Sequence, residues 1–307
     1  MRKFYLSCIF LVPLWMSAQT EIDAIMMSKN NFCFGAVYQY SSWDKYWEGT
    51  FNRENLNLGT VSTQGIAVMG NYGITDKLNF LFSVPYLETK ATAGTMKGQK
   101  GMQDLVLTAK YMPFEKTIGK ATYSLYALGS YSMPTSNYAA DYLPLSIGLH
   151  SKTGTLRLMG DVQVDNFFTT LSVAYIKRGN ITIDRNSYLA DEIHYTNEVD
   201  MPDATNFNLR LGYRSPWLIA EAVIDNWTTQ SGGFDITKNN MPFPSNTMNA
   251  WKLGLSAKYT LKKIPELAIV GGYNVVTEGR NVGEATSLYG GVFYVVNFKN
   301  KNKQDEK

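Results

Sequence analysis

Only two histidines occur in the sequence, His150 and His194, so any Ser-His proton relay must be built on one of them. Ser151 is adjacent to His150, and in an extended segment adjacent side chains point to opposite faces and cannot share a proton. Ser146 falls on the same face as His150 but two residue pairs away, beyond hydrogen-bond reach without a sharp distortion. His194 lies in a long polar stretch and reads as a surface residue. A lipid-modifying enzyme is therefore the weakest of the functional readings, and no catalytic residue is assigned. Met26, Met27 and Cys33 are soft donors, but no spacing among them fixes a metal. Gly232-Gly233 and Pro242-Phe243-Pro244 mark a constrained connection rather than a phosphate cradle, because no helix follows. No cofactor is expected.

The remaining polar chemistry is charge in an ordered pattern. Arg157, Asp161, Arg210, Arg214, Glu221, Asp225, Lys252 and Lys258, joined by Lys110 and Gln163, alternate with apolar neighbours. If the apolar faces point at lipid, these groups share an interior, with Glu221 and Asp225 on a strand between the one carrying Arg210 and Arg214 and the one carrying Lys252 and Lys258. Cross-strand pairing is then geometrically natural. Such groups form either an ion-pair network that fills and stiffens the interior or a constriction that selects solutes. The network is favoured, because a small barrel has little free lumen once side chains fill it; the same eight residues are the constriction candidates.

The elements that must position them are strands. From Asn206 to Arg214, Phe207, Leu209, Leu211 and Tyr213 alternate with polar or small residues, and Ala250 to Leu261 repeats the pattern. Period two over such lengths means strand. Further strands are expected near 32–41, 61–73, 78–88, 102–114, 120–132, 144–164, 167–178, 217–228, 266–277 and 287–298. The total is about twelve, an even number as bacterial barrels require, with ten or fourteen as alternatives. Within 144–164 the apolar parity changes at Thr153-Gly154, which reads as a β-bulge. Short turns alternate with long polar connections near 42–60, 89–101, 133–143, 179–205, 229–249 and 278–286. That asymmetry is expected of periplasmic turns and outer loops. Aromatic residues make up 13% of the chain, with 20 Tyr. Trp43, Tyr46, Trp47, Trp227 and Trp251 read as an interfacial girdle.

Residues 1–18 read as a signal peptide: Arg2 and Lys3, an apolar stretch from Phe4 to Leu14, and Ser17-Ala18 before the cut. Without Arg2 and Lys3 the 29 basic residues become 27 against 26 acidic ones, a net charge of +1. Nucleic acid is therefore not an expected partner. Cys33 is then the only remaining cysteine of the two, so no disulfide within the chain is possible. Residues 19–31 form a periplasmic segment or small plug, with two helical turns expected over Glu21 to Lys29. Residues 32–298 form the barrel, and 299–307 a charged tail. The fold class is all-β, a transmembrane antiparallel up-and-down barrel.

A run of motifs points to a family. Tyr72-Gly73-Ile74-Thr75-Asp76-Lys77-Leu78, then Val84-Pro85-Tyr86, then Gly101 and Asp104 to Tyr111, resembles the outer-membrane channel family named for the meta-cleavage pathway of phenol degradation. The match is concentrated in 61–114. The resemblance implies a small barrel that moves small molecules, hydrophobic or aromatic ones among them, and brings no catalytic residue with it. The expected location is the outer membrane of a Gram-negative bacterium after export. The expected partners are outer-membrane lipid, the barrel-assembly machinery during insertion, and a small solute. A closed structural or surface-binding barrel is the alternative.

Overall fold

The computed structural model describes residues 20–230, 232–236 and 241–298. The segments expected as a signal peptide, 1–18, and as a charged tail, 299–307, lie outside them. The long strands are β1 (Asn31–Trp43), β2 (Val61–Thr75), β3 (Leu78–Ala91), β4 (Asp104–Ile118), β5 (Ala121–Pro134), β6 (Thr153–Val164), β7 (Phe167–Arg178), β8 (Ala204–Arg214), β9 (Leu218–Thr229), β10 (Asn249–Thr260), β11 (Leu267–Arg280) and β12 (Thr286–Asn297). Each pairs antiparallel with its neighbour in sequence, and β1 pairs with β12 from Asn31↔Asn297 to Ser42↔Thr286. The sheet is thus a closed barrel of twelve strands. Closure leaves no unpaired edge, the condition under which strands can cross a hydrocarbon layer.

The barrel is built inside out relative to a water-soluble fold. Along β7 exposure alternates without a break, with Phe167, Leu171, Val173 and Tyr175 exposed and Thr170, Ser172 and Arg178 buried. Leu156 and Leu158 on β6 are 72% and 71% exposed, while Arg157 between them is 8% exposed. Apolar side chains outward and charged ones inward is the arrangement that lipid stabilises and water does not. The clean alternation in β8 and β10 has the same origin.

Four expectations change. The segment 144–152 is not strand: β6 begins at Thr153, and no bulge occurs at Thr153-Gly154. Its alternating Leu145 and Ile147 are buried because this loop folds into the mouth of the barrel. There Leu145 packs with Leu58 and Val61, and its carbonyl accepts from Thr89 Oγ1 at 2.6 Å. His150 sits in that loop with φ of 57°, so the strand geometry assumed for Ser146, His150 and Ser151 does not apply. Residues 21–28 make a turn followed by chain without regular structure rather than helical turns. Asp23 explains this, because its carboxylate accepts from the backbone N–H groups of Thr20 (2.5 Å) and Ile25 (3.2 Å), a local alternative to a helix. The aromatic girdle also loses members. Trp251 faces outward, but Trp227 shares the inward parity of Glu221 and Asp225, and Trp47 is buried over Ala250 and Val276. Trp43 packs near Leu145, with Tyr46 beside it at 6.1 Å between ring centroids.

Candidate functional site: the barrel lumen

The inward parity of β6 to β10 brings the charged candidates into one interior. Gly212 stands opposite Glu221, and Asp225 opposite Lys252. Glu221 is thus diagonal to Arg210, within reach of a long side chain, and Arg210 donates to its carboxylate with both groups nearly buried. Arg214 spans β7 to reach Asp161 on β6 at 3.0 Å. Its guanidinium stacks 3.9 Å from the Phe168 ring centroid and also meets Gln163 at 3.1 Å. A planar, delocalised cation suits both contacts. Asp225 accepts from Asn206 and Asn208, each at 3.0 Å. Arg157 donates to Ser172 (2.9 Å) and Asn206 (3.1 Å). Lys252 and Lys258 line the same interior. The expected pairing of Arg210 with Glu221 forms, while Arg214 turns to the opposite side.

The segment before β1 contributes a group that strand patterning did not single out. Residues 20–24 lie along the inner face of β4 to β6, where Asp23 meets Lys110 at 3.1 Å. The Lys110 ammonium also donates to the carbonyls of Thr20 (3.2 Å) and Asp23 (2.6 Å), and it has no exposed surface. Its ammonium lies 5.7 Å from the Tyr126 ring centroid, and the Tyr126 hydroxyl donates to the Ala24 carbonyl at 2.9 Å. Ala24 packs among Met112, Leu128 and Met159. Nearer the short turns, Asn79 donates to the Met27 carbonyl at 3.0 Å, and Met27 and Cys33 join Ala268, Phe293 and Val295 in an apolar cluster. Where the segment crosses β2, a Cβ on Gly73 would stand 2.2 Å from the Ser28 carbonyl oxygen, so only glycine fits.

This segment borders two spaces. One, of about 480 Å³, lies between Ile22, Asp23 and Ile25 and the wall of β8 to β12, with Arg210, Glu221, Lys252, Lys258, Tyr273 and Tyr289 among its lining groups. The other, of about 340 Å³, touches Glu21 and is bounded by β4 to β7, Trp227 of β9 and the inturned loop. The two share no lining residue. In the mouth, Tyr138 donates to Asp104 at 2.5 Å and accepts from the His150 backbone N–H at 3.0 Å. Burial, and then the adjacent carboxylate, pushes the Tyr138 hydroxyl above the usual phenol range, so it stays a donor. The His150 ring meets Tyr138 edge-on, and the His194 ring stacks on Tyr188. Neither histidine is placed as the base of a serine nucleophile.

The long loops are tied at Asn281, a residue with φ of 53°. Its side chain accepts from the backbone N–H of Gly49 (2.8 Å) and Ile236 (3.0 Å) and donates to Asp235 (2.6 Å) and the Thr247 carbonyl (2.7 Å). Arg280 adds two bonds to Asp235, at 2.8 and 2.7 Å. The Arg280 hydrogen bonds hold the Asp235 carboxyl below the usual carboxylate range.

Comparison with known proteins bears on this architecture. Residues 49–289 match a family model described as "Putative MetA-pathway of phenol degradation". An outer membrane channel from Pseudomonas putida F1 superposes with a TM-score of 0.71 at 14% identity, covering 91% of this chain and 100% of that one. The translocator domain of the autotransporter NalP from Neisseria meningitidis gives 0.44 at 11% identity, over 86% of this chain and 88% of that one. OccD3 from Pseudomonas aeruginosa gives 0.38 at 11% identity, over 90% and 94%. The first likeness extends to the fold; the other two carry no argument. No curated protein matches the chain.

Proposed function

We infer the function from the premise that this chain belongs to the family described as Putative MetA-pathway of phenol degradation, and propose that it is a passive channel for small molecules, hydrophobic or aromatic ones among them, in the outer membrane of a Gram-negative bacterium. The observation that carries this reading is the space of about 480 Å³ inside a closed barrel, with charged groups and aromatic rings on the same wall. A lumen with both kinds of surface can take an amphipathic solute, its polar end on fixed charges and its apolar end on rings. The fold-level likeness to a channel from Pseudomonas putida F1 is consistent with it. Residues 20–27 act as a plug held by Lys110, and solute passage requires the plug to shift. In this reading the eight charged candidates are the constriction, with Arg210 and Glu221 as its paired centre, and the chain has no catalytic activity.

A second reading is favoured by one observation: the segment 20–27 and the loop 135–152 both occupy the lumen, and the spaces they border share no wall residue. On that reading the barrel is closed and serves as a structural or surface-binding element. Planar-bilayer conductance and small-solute flux decide between the two. A channel conducts, and a Glu221→Ala, Asp225→Ala double variant alters its ion selectivity. Absence of both conductance and flux, in the native chain and in a Lys110→Met variant, overturns the channel reading.

A further inference from the structure

The smaller space, beneath the inturned loop, is lined by a buried guanidinium with an unused donor. Arg178 closes β7 at its outer end and is 4% exposed. Its Nε donates to the Pro202 carbonyl and its backbone N–H to Asp203 at 3.0 Å, but Nη2, also buried, has no hydrogen-bond partner among the described residues. The nearby Asp203 carboxylate is committed elsewhere, accepting from the Tyr175 hydroxyl at 2.5 Å and the Lys177 ammonium at 3.1 Å. Arg157, also buried, lines the same space and uses Nη1 on Ser172 and Asn206. A buried guanidinium with an idle N–H group calls for an acceptor, and a carboxylate is its best geometric match.

The rest of the wall sets what the acceptor is attached to. Trp227, Leu149, Ile176 and Val106 give it an apolar side. Two carboxylates also face the space. Asp104 accepts from the Tyr138 hydroxyl, while among the described residues Glu21 accepts one long hydrogen bond, from Thr108 at 3.4 Å. Glu21 is therefore the weakly held resident anion that an incoming one would displace or repel.

We propose that this outer chamber is a binding subsite for a small organic monocarboxylate, its carboxylate on Arg157 and Arg178 and its apolar body against Trp227. A volume of about 340 Å³ admits one such molecule. The subsite deepens the channel reading by naming a solute class, but its existence does not depend on conduction.

The test is calorimetric titration of the full barrel in detergent with benzoate, benzamide and inorganic phosphate. Benzoate is expected to bind saturably, and benzamide, its neutral analogue, and phosphate, which lacks the apolar body, each at least about tenfold more weakly. Arg178→Gln and Arg157→Gln should each weaken benzoate by about tenfold or more, and Glu21→Gln should tighten it severalfold by removing a like charge. Because Arg178 also braces Pro202, the Arg157 and Glu21 variants keep the test valid if Arg178→Gln misfolds. Equal affinity for benzamide, stronger binding of phosphate, indifference to both Arg157→Gln and Glu21→Gln, or no saturable benzoate binding overturns the subsite. Bilayer conductance on the same preparations separates the two claims. Benzoate binding without conduction retires the channel and leaves the subsite, and conduction without benzoate binding does the reverse.

Discussion

On the β4 to β6 side of the lumen, Lys110, Tyr126 and Met159 touch residues 20–24, whereas on the β8 to β12 side Arg210, Lys252 and Tyr273 border the larger cavity. Both walls have the same alternation of outward apolar and inward polar residues. They differ in what satisfies the inward face. The first wall receives backbone carbonyls and a carboxylate from a segment distant in sequence, and the second relies on side chains pairing across neighbouring strands. A filled wall gains rigidity from a partner it can lose, while an open wall keeps its charges exposed to whatever enters. The charge set alone would describe both as one network, and the geometry separates a latch from a lining.

The sharpest way to break that contrast is Lys110→Met. It strands the Asp23 carboxylate in a buried site, an effect of about 3–5 kcal/mol for a broken buried pair. Refolding titrations in detergent or lipid should show the loss, and conductance should rise as residues 20–27 leave the wall. A control on the outward face comes next. Leu171→Arg places a charge in the hydrocarbon layer from β7 and should cost about 2–4 kcal/mol near the bilayer midplane, without changing selectivity. On the open wall Glu221→Gln should cost less, about 2 kcal/mol for a charge-assisted bond. It should instead shift reversal potentials toward anion selectivity, because Arg210 loses its counter-charge. Unchanged selectivity would show that the open wall does not line the path.

The smallest effect belongs to the mouth. The folded carboxyl of Asp235 titrates below the ordinary value, so its bonds to Arg280 and Asn281 contribute fully above about pH 4 and are lost as pH falls through the lowered value. The side chains of Asp235 and Arg280 are 39% and 41% exposed, which limits their ion pair to under about 1 kcal/mol. Hydrogen-exchange protection in the loop segment 241–249, measured relative to the intrinsic rate at each pH, should fall as the pH drops below about 4, and Asp235→Asn should lower it at neutral pH. A mouth indifferent to both would mean that Asn281 alone ties the loops.

The barrel was legible because strand periodicity repeats along the chain, and β8 and β10 are readable residue by residue. The inward set followed from the same parity, which also marked Trp227 as inward, since it shares parity with Glu221 and Asp225; its residue type suggested a girdle instead. The stretch 144–152 misled for the opposite reason. Leu145 and Ile147 alternate there without being strand, because the mouth offers a second apolar surface around Leu58, Val61 and Leu87. The latch was illegible for a more basic reason: Lys110 is held largely by carbonyls of Thr20 and Asp23, and a carbonyl carries no residue identity. Asn281 left only the faint signal of a residue type that tolerates the left-handed region.

The bare backbone at Gly73 has a metrical consequence. The segment crosses the wall at this point, where a methyl group would collide with Ser28, and it meets Lys110 at Asp23. The chain between Ser28 and Asp23 is therefore a ruler with two fixed marks. Inserting a residue between the marks would leave the crossing where it is and bring a different side chain to the ammonium. Substitutions along the ruler can drift, but its length is set by the distance between a missing methyl group and a buried cation.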